Sequence, residues 1–142
     1  MKTLSLLQPW ASLVIMGCKK IETRSWKTGY RGPLLIHASL GKKGSILCSE
    51  APFKKYIDDF NLLPFGAIIG KVILEDVLPV EYLFLSNHEL AALTMEEKAF
   101  GDYSTGRYAW MLSEPDIFEK PIHVKGTLGL WEFDLPARPI NK

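Results

Sequence analysis

The chain has 142 residues, 47% of them hydrophobic and 23% charged, and a formal net charge of +1. That length allows one domain with one substantial core and excludes two ordinary ones. A charge so near zero excludes a global field that draws the protein to nucleic acid or to an anionic membrane, so any such binding has to come from a local cluster.

In chain order, "KTLSLL" alternates and predicts a first strand. "QPWASLVIMG" predicts a helix in which Pro9 suits the first helical position, because its missing N–H costs nothing there. Leu13, Val14 and Met16 are its expected inward residues, and Gly17 is the expected stop. Gln8 and Pro9 interrupt the short apolar patch at the amino end before a signal-peptide core can form. No apolar run approaches the roughly 20 residues that span a bilayer. Cys18 and Cys48 lie far apart without CxxC company and fit reduced thiols better than a disulfide scaffold or a zinc site. These features point to a soluble, cytoplasmic protein with no membrane partner.

"KKIETRSW" alternates with period two, placing Ile21, Thr23 and Ser25 on one face and Lys20, Glu22, Arg24 and Trp26 on the other. "KTGYRG" predicts a loop and "PLLIHAS" a central third strand. "GSILCSEAPFKKYIDDF" predicts mostly helix, broken or kinked at Pro52. "GAIIGKVILEDVLPV" carries the strongest strand signal, being β-branched and apolar. "SNHELAALTMEEKAFG" predicts a helix capped by Ser86 or Asn87 and stopped at Gly101. "RYAWMLSE" predicts a strand, Pro115 to Pro121 a connector, and "IHVKGTLGLWEFDL" a final strand or hairpin with Trp131 packed across it. The organisation expected is a single domain over residues 1–134 and a polar tail over 135–142. Its class is α+β: five to six strands in a curled or barrel-like sheet, with about three helices.

No phosphate loop, GxGxxG, HExxH or GxSxG pattern is present, so no nucleotide-driven or Rossmann-type cofactor chemistry is indicated. His37, His88 and His123 lack ligand-like spacing, so no metal site and no cofactor are expected. His37, inside "LLIHAS", reads as a hydrogen-bonded interior histidine. What remains is a set of polar residues beside aromatics: Gln8, Trp10 and Ser12; Lys19, Glu22, Arg24 and Trp26; Tyr30 and Arg31; and Arg107 with Tyr108 in "GRYAW". Arg and Lys supply donors for a phosphate or a base edge, and Trp and Tyr supply flat faces on which bases stack, worth about 1–3 kcal/mol per base. Glu22 can accept from an exocyclic amine or hold Arg24 in place. The same residues also permit a plainer reading, in which the tryptophans are core and Glu22 with Arg24 is a surface ion pair worth about 0–1 kcal/mol.

Gly17, Lys19, Glu22 and Arg24 stand at the spacing GxKxxExR, which resembles the signature of the ASCH domain, named for homology to an activating signal cointegrator. The resemblance extends over "LSLLQPWASLVIMGCKKIETRSWKTGYRGPLLIHAS", and "GRYAWML" and "KGTLGLWEF" resemble later strands of prokaryotic and phage-type members. It implies a PUA-like β-barrel flanked by helices, with the GxKxxExR segment lining a cleft. It also implies RNA, another single-stranded nucleic acid or a nucleotide as partner. One branch of the family is similar to an amidohydrolase of N4-acetylcytidine that uses a lysine, a threonine and a glutamate. Lys19 falls on its lysine, but Glu22 stands where it has threonine, and Glu96 and Glu97 are only spatial candidates for its glutamate. Another branch resembles a metal-dependent ribonuclease, which no metal-ligand pattern here supports; if the chain were an enzyme, Lys19 and Glu22 would be its catalytic pair. Glu22 beside Lys19 favours the charged ammonium, so binding ranks above hydrolysis. A protein-interaction module of the transcription coactivator type is a third reading.

Overall fold

The structure is a computed structural model that describes residues 1–85 and 93–136. The elements are β1 (Lys2–Leu6), α1 (Trp10–Ile15), β2 (Ile21–Arg24) and β3 (Gly32–Ala38), then α2 (Phe53–Tyr56) between the 3-10 turns Lys43–Ser49 and Phe60–Leu62. After these come β4 (Ala67–Pro79), α3 (Tyr82–Leu85), α4 (Met95–Phe100), β5 (Tyr108–His123) and β6 (Leu130–Glu132). The six strands form one sheet in the order β2-β5-β4-β3-β1-β6. Only β1 and β3 run parallel; the other neighbours are antiparallel. The long partners β4 and β5 shift register at three places. Extra residues on one strand bend it and increase its twist, and the sheet curls into a half-barrel. This is the expected PUA-like α+β class, with short helices on the curl.

The core explains the curl. Leu34, Leu35 and Ile36 of β3 are buried on both faces, as its continuous apolar run requires. α1 is buried from Ala11 through Ile15 because it lies between two clusters. Val14 and Ile15 join the sheet core with Leu4, Leu74 and Trp110. Leu13 packs instead with Phe53, Ile57 and Phe100. Met16, expected to face inward, is exposed, and Ile15 takes the inward place. Gly17 ends the helix with φ +81°, a conformation that favours a residue without a Cβ, and turns the chain toward β2.

Two further expectations need correction. The stretch from Pro115 to Pro121 is not a connector but the continuation of β5. β2 pairs only with residues 108–111 of β5 and both prolines fall where the β4–β5 register shifts, so their missing N–H groups break no ladder. Of the two forms expected for the final segment it takes the single strand, because β6 pairs with β1. The helix expected from Ser86 is described only from Met95, capped by Thr94, whose hydroxyl accepts the Glu97 N–H. Ser86 and Asn87, and residues 137–142 of the expected tail, lie outside the described residues. Pro52 does break the helical stretch, standing immediately before α2. No described helix is long and apolar enough to cross a membrane.

Candidate functional site

The curled sheet borders a cleft of about 1000 Å³. One end is formed by Glu22, Thr23 and Arg24 of β2 with Asp102 and Arg107 from the segment before β5. The other end is formed by Ser5, His37 and Ser39 with the loop from Val124 to Gly129. Trp10, Phe65 and Phe100 supply its aromatic wall.

The charged end grows out of an edge strand. In β2 the residues alternate between facing β5 and facing outward. Leu112 N donates to Lys20 O, so Lys20, Glu22 and Arg24 bond β5, while the peptide groups of Ile21 and Thr23 point away from it. The Glu22 carboxylate lies 3.4 Å from the Lys19 ammonium and 3.7 Å from the Arg24 guanidinium. Arg24 Nη2 donates to Ser5 O at 2.9 Å, which ties the charged end to β1. Its buried Nε has no partner among the described residues. Arg107 Nη2 donates to Thr23 O at 3.0 Å, and its Nε donates to Asp102 O at 3.0 Å. The Asp102 carboxyl sits below the usual range because the Ser104 hydroxyl and N–H donate to it and Arg107 is nearby. Positive and negative groups nearly cancel within the cleft, and Lys125 at the rim forms no ion pair among the described residues.

The neutral end is a hydrogen-bonded chain. His37 Nε2 lies 2.7 Å from Val124 O, which can only accept, so that nitrogen carries the proton. Nδ1 is then the acceptor, 3.0 Å from the Ser5 hydroxyl. Ser5 Oγ in turn accepts from Trp131 Nε1 at 3.1 Å. The Trp131 ring meets His37 edge to face at 5.5 Å. Burial pushes the His37 pKa below its ordinary value, against the opposing pull of the Val124 carbonyl. Gly126 closes over this group: a Cβ there would stand 2.6 Å from His37 Cε1.

The candidate residues divide accordingly. Trp10, Glu22, Arg24 and Arg107 line the cleft together. Lys19 does not. Its side chain is buried, its ammonium donates to Ile21 O, and it borders a separate hollow of about 310 Å³ with Val14, Gly17 and Lys20. Gln8 and Ser12 are buried and bonded to each other, Gln8 also donating to Pro64 O at 2.8 Å. Trp26 packs edge to face on Trp110 at 4.9 Å, with the Arg24 guanidinium 5.9 Å from its ring. Tyr30 donates to Pro33 O, Arg31 pairs with Asp76 at 3.1 Å, and Tyr108 packs on the core; none of the three borders the cleft.

Sequence reasoning missed Thr23, Asp102 and the loop from Val124 to Gly129, which line the cleft, and Tyr103, which does not border it. The Tyr103 hydroxyl is buried without a partner among the described residues, and burial, then the Glu97 and Glu22 charges, drive its pKa far upward. The Gly- and Ser-rich run "GDYSTGR" beside Arg107 was the available signal for Asp102 and Tyr103.

A family model described as the ASCH domain matches residues 4–122. Activating signal cointegrator 1 from Homo sapiens is 29% identical over 137 residues, covering 92% of this chain and 22% of that protein. The Mus musculus protein of the same name is 29% identical over 138 residues, with the same shares. The chain thus spans about a fifth of the length of these relatives. The crystal structure of ASCH from Zymomonas mobilis has a TM-score of 0.50 at 17% identity, covering 86% of this chain and 72% of that one, a likeness of fold.

Proposed function

The chain belongs to the ASCH domain family, a PUA-like fold family generally associated with RNA binding, and on that premise we propose that its cleft holds one nucleotide of a single-stranded RNA or a free nucleotide. The observation that carries this reading is the convergence of Glu22, Arg24, Arg107 and the Trp10 ring on one cleft. Arg24 donates to a base edge or a phosphate. Glu22 accepts from an exocyclic amine, and Trp10 offers a stacking face. Because the cleft charges nearly cancel, the ligand presents few phosphates to it, and affinity is modest. The hydrolase reading has less support: the Lys19 ammonium is engaged by Ile21 O and Glu22 and does not border the cleft, so it has no reach to a ligand carbonyl there.

The test is equilibrium binding of labelled single-stranded RNA and DNA oligomers and of free mononucleotides across a salt series. Each neutralised phosphate contributes a slope of about 0.7 in log affinity against log salt for a single strand, and we expect a total near one phosphate. Arg24→Ala is expected to weaken binding about 30-fold, the cost of truncating one member of a hydrogen-bonded charge cluster. Binding unchanged in Arg24→Ala and in Trp10→Ala would sink the assignment of the cleft.

A further inference from the structure

β2 is an edge strand, and it carries the charged end of the cleft. An edge strand leaves a row of peptide groups without ladder partners, and in the absence of substitutes it frays or pairs with another chain. Here the substitutes are charged side chains. Ile21 N–H donates to Glu97 Oε1 at 3.4 Å, and the preceding Lys20 N–H donates to Glu97 Oε2 at 2.8 Å. Ile21 O accepts from the Lys19 ammonium, and Thr23 O accepts from Arg107 Nη2. Of the outward groups of Ile21 and Thr23, only the Thr23 N–H takes no partner among the described residues.

Two of these side chains do nothing else that the cleft could use. Lys19 is 1% exposed and Glu97 7% exposed, and neither borders the cleft. Glu97 reaches β2 from α4, where the Thr94 cap holds its backbone. The α4 end is tied a second time, by Asp102 N donating to Thr23 Oγ1 at 3.2 Å. Lys19 also faces Glu22 at 3.4 Å and so compensates its charge on the side away from the cleft.

We infer that Lys19 and Glu97 are positioning residues: they cap the outer edge of β2 and thereby fix Glu22 and Arg24 at the cleft, without touching the ligand. The inference rests on the cleft reading above for its consequence, but its geometric part stands independently. Glu97 clamps the segment at its start, and Lys19 holds both the strand edge and the carboxylate. This gives the lysine of the GxKxxExR pattern a role that involves neither nucleophilic attack nor ligand contact.

Two measurements test it. In ligand-free protein, amide hydrogen exchange at Lys20 and Ile21 is expected to accelerate at least about tenfold in Glu97→Ala, since each amide loses a bond to a charged acceptor. Glu97→Gln, which keeps an acceptor oxygen, is expected to restore part of the protection. Amides of β3 and β4 are expected to keep their rates. Unchanged exchange at Lys20 and Ile21, or an increase spread evenly over the sheet, overturns the clamp. The second measurement is a double-mutant cycle read with a labelled single-stranded RNA. Lys19→Met is expected to weaken binding about tenfold when Glu22 is present and less than about twofold in a Glu22→Gln background. An equal loss in both backgrounds would mean that Lys19 contacts the ligand, and would overturn the inference. RNA binding that is absent altogether, or insensitive to Arg24→Ala, refutes the cleft reading instead, and the exchange experiment then decides the positioning role alone.

Discussion

The two ends of the cleft are held by opposite means. At the β2 end, charged side chains are arranged around an edge strand: Glu22 between Lys19 and Arg24, and Arg107 against Asp102 and Thr23 O. At the β1–β3 end, a neutral chain runs from Trp131 on β6, the opposite edge strand, through Ser5 and His37 on the interior strands β1 and β3, to Val124 O. The difference follows from position. An interior strand has both backbone edges satisfied by neighbours, so its side chains need only neutral, directional bonds. An edge strand lacks one set of partners, and charged groups with long reach supply them. The charged end is therefore held by long side chains reaching an edge, while the neutral end is held by close packing and short directional bonds.

The comparison breaks if the neutral end tolerates bulk. Gly126→Ala places a methyl 2.6 Å from His37 Cε1 and 2.7 Å from Ser5 Oγ. The ring has little room to retreat, because Trp131 stands against it and Val124 O fixes its Nε2. Overpacking of this kind costs about 1–3 kcal/mol, which urea denaturation would show as a lower midpoint at constant slope. Lys125→Ala, one residue away on the exposed rim, is expected to leave the midpoint within about 0.5 kcal/mol. Equal midpoints for the two variants would mean that the neutral end is not close-packed around His37. A smaller effect sharpens the same contrast. Trp131→Phe keeps an aromatic ring against His37 but deletes the N–H that donates to Ser5, and is expected to cost about 1 kcal/mol in the same denaturation assay.

The two ends also differed in how far the sequence announced them. The charged end is local: Glu22 and Arg24 sit two apart on one short alternating strand, and their types alone mark them as a cluster. The strands of the half-barrel were equally legible, since "PLLIHAS" and "GAIIGKVILEDVLPV" carry their burial in their composition. What could not be read was direction across the edge. Alternation puts Lys20, Glu22 and Arg24 on one face but leaves open which peptide groups lack a ladder partner, and so gives no hint that Lys19 turns back onto Ile21 O. The neutral end is assembled by topology. Ser5, His37, Val124 and Trp131 are dispersed over more than a hundred residues and meet because β1 runs parallel to β3 and β6 returns to β1. Pro115 and Pro121 misled for the same reason, because a proline ends a strand only where its N–H is needed, and both fall beyond β2 and at shifts in the β4–β5 register. Glu97 reads as the exposed face of a helix until the distance to Lys20 N, set by the packing of α4, is known.

The smallest expected effect is a pH dependence centred on His37 at the neutral end. Burial lowers the His37 pKa in the folded chain, whereas in the unfolded chain it stands near the ordinary value of about 6.5. Between the two values the unfolded state binds more protons than the folded one, so stability rises with pH across that interval. The contribution is fully present above about pH 6.5 and is lost as pH falls through the lowered folded value. Protonation gives Nδ1 a hydrogen that opposes the one on the Ser5 hydroxyl, so Ser5 has to turn its donor away from both His37 and the Trp131 N–H that already donates to it. Denaturation midpoints measured from pH 7.5 down to about 5 should therefore fall more for the natural chain than for His37→Gln, whose side chain does not titrate in that range. The Gln variant is expected to start from a lower midpoint at neutral pH and to lose less on acidification. If the two curves run parallel, His37 is not held neutral by its surroundings, and the contrast between a charged edge and a neutral interior fails at the residue on which it depends most.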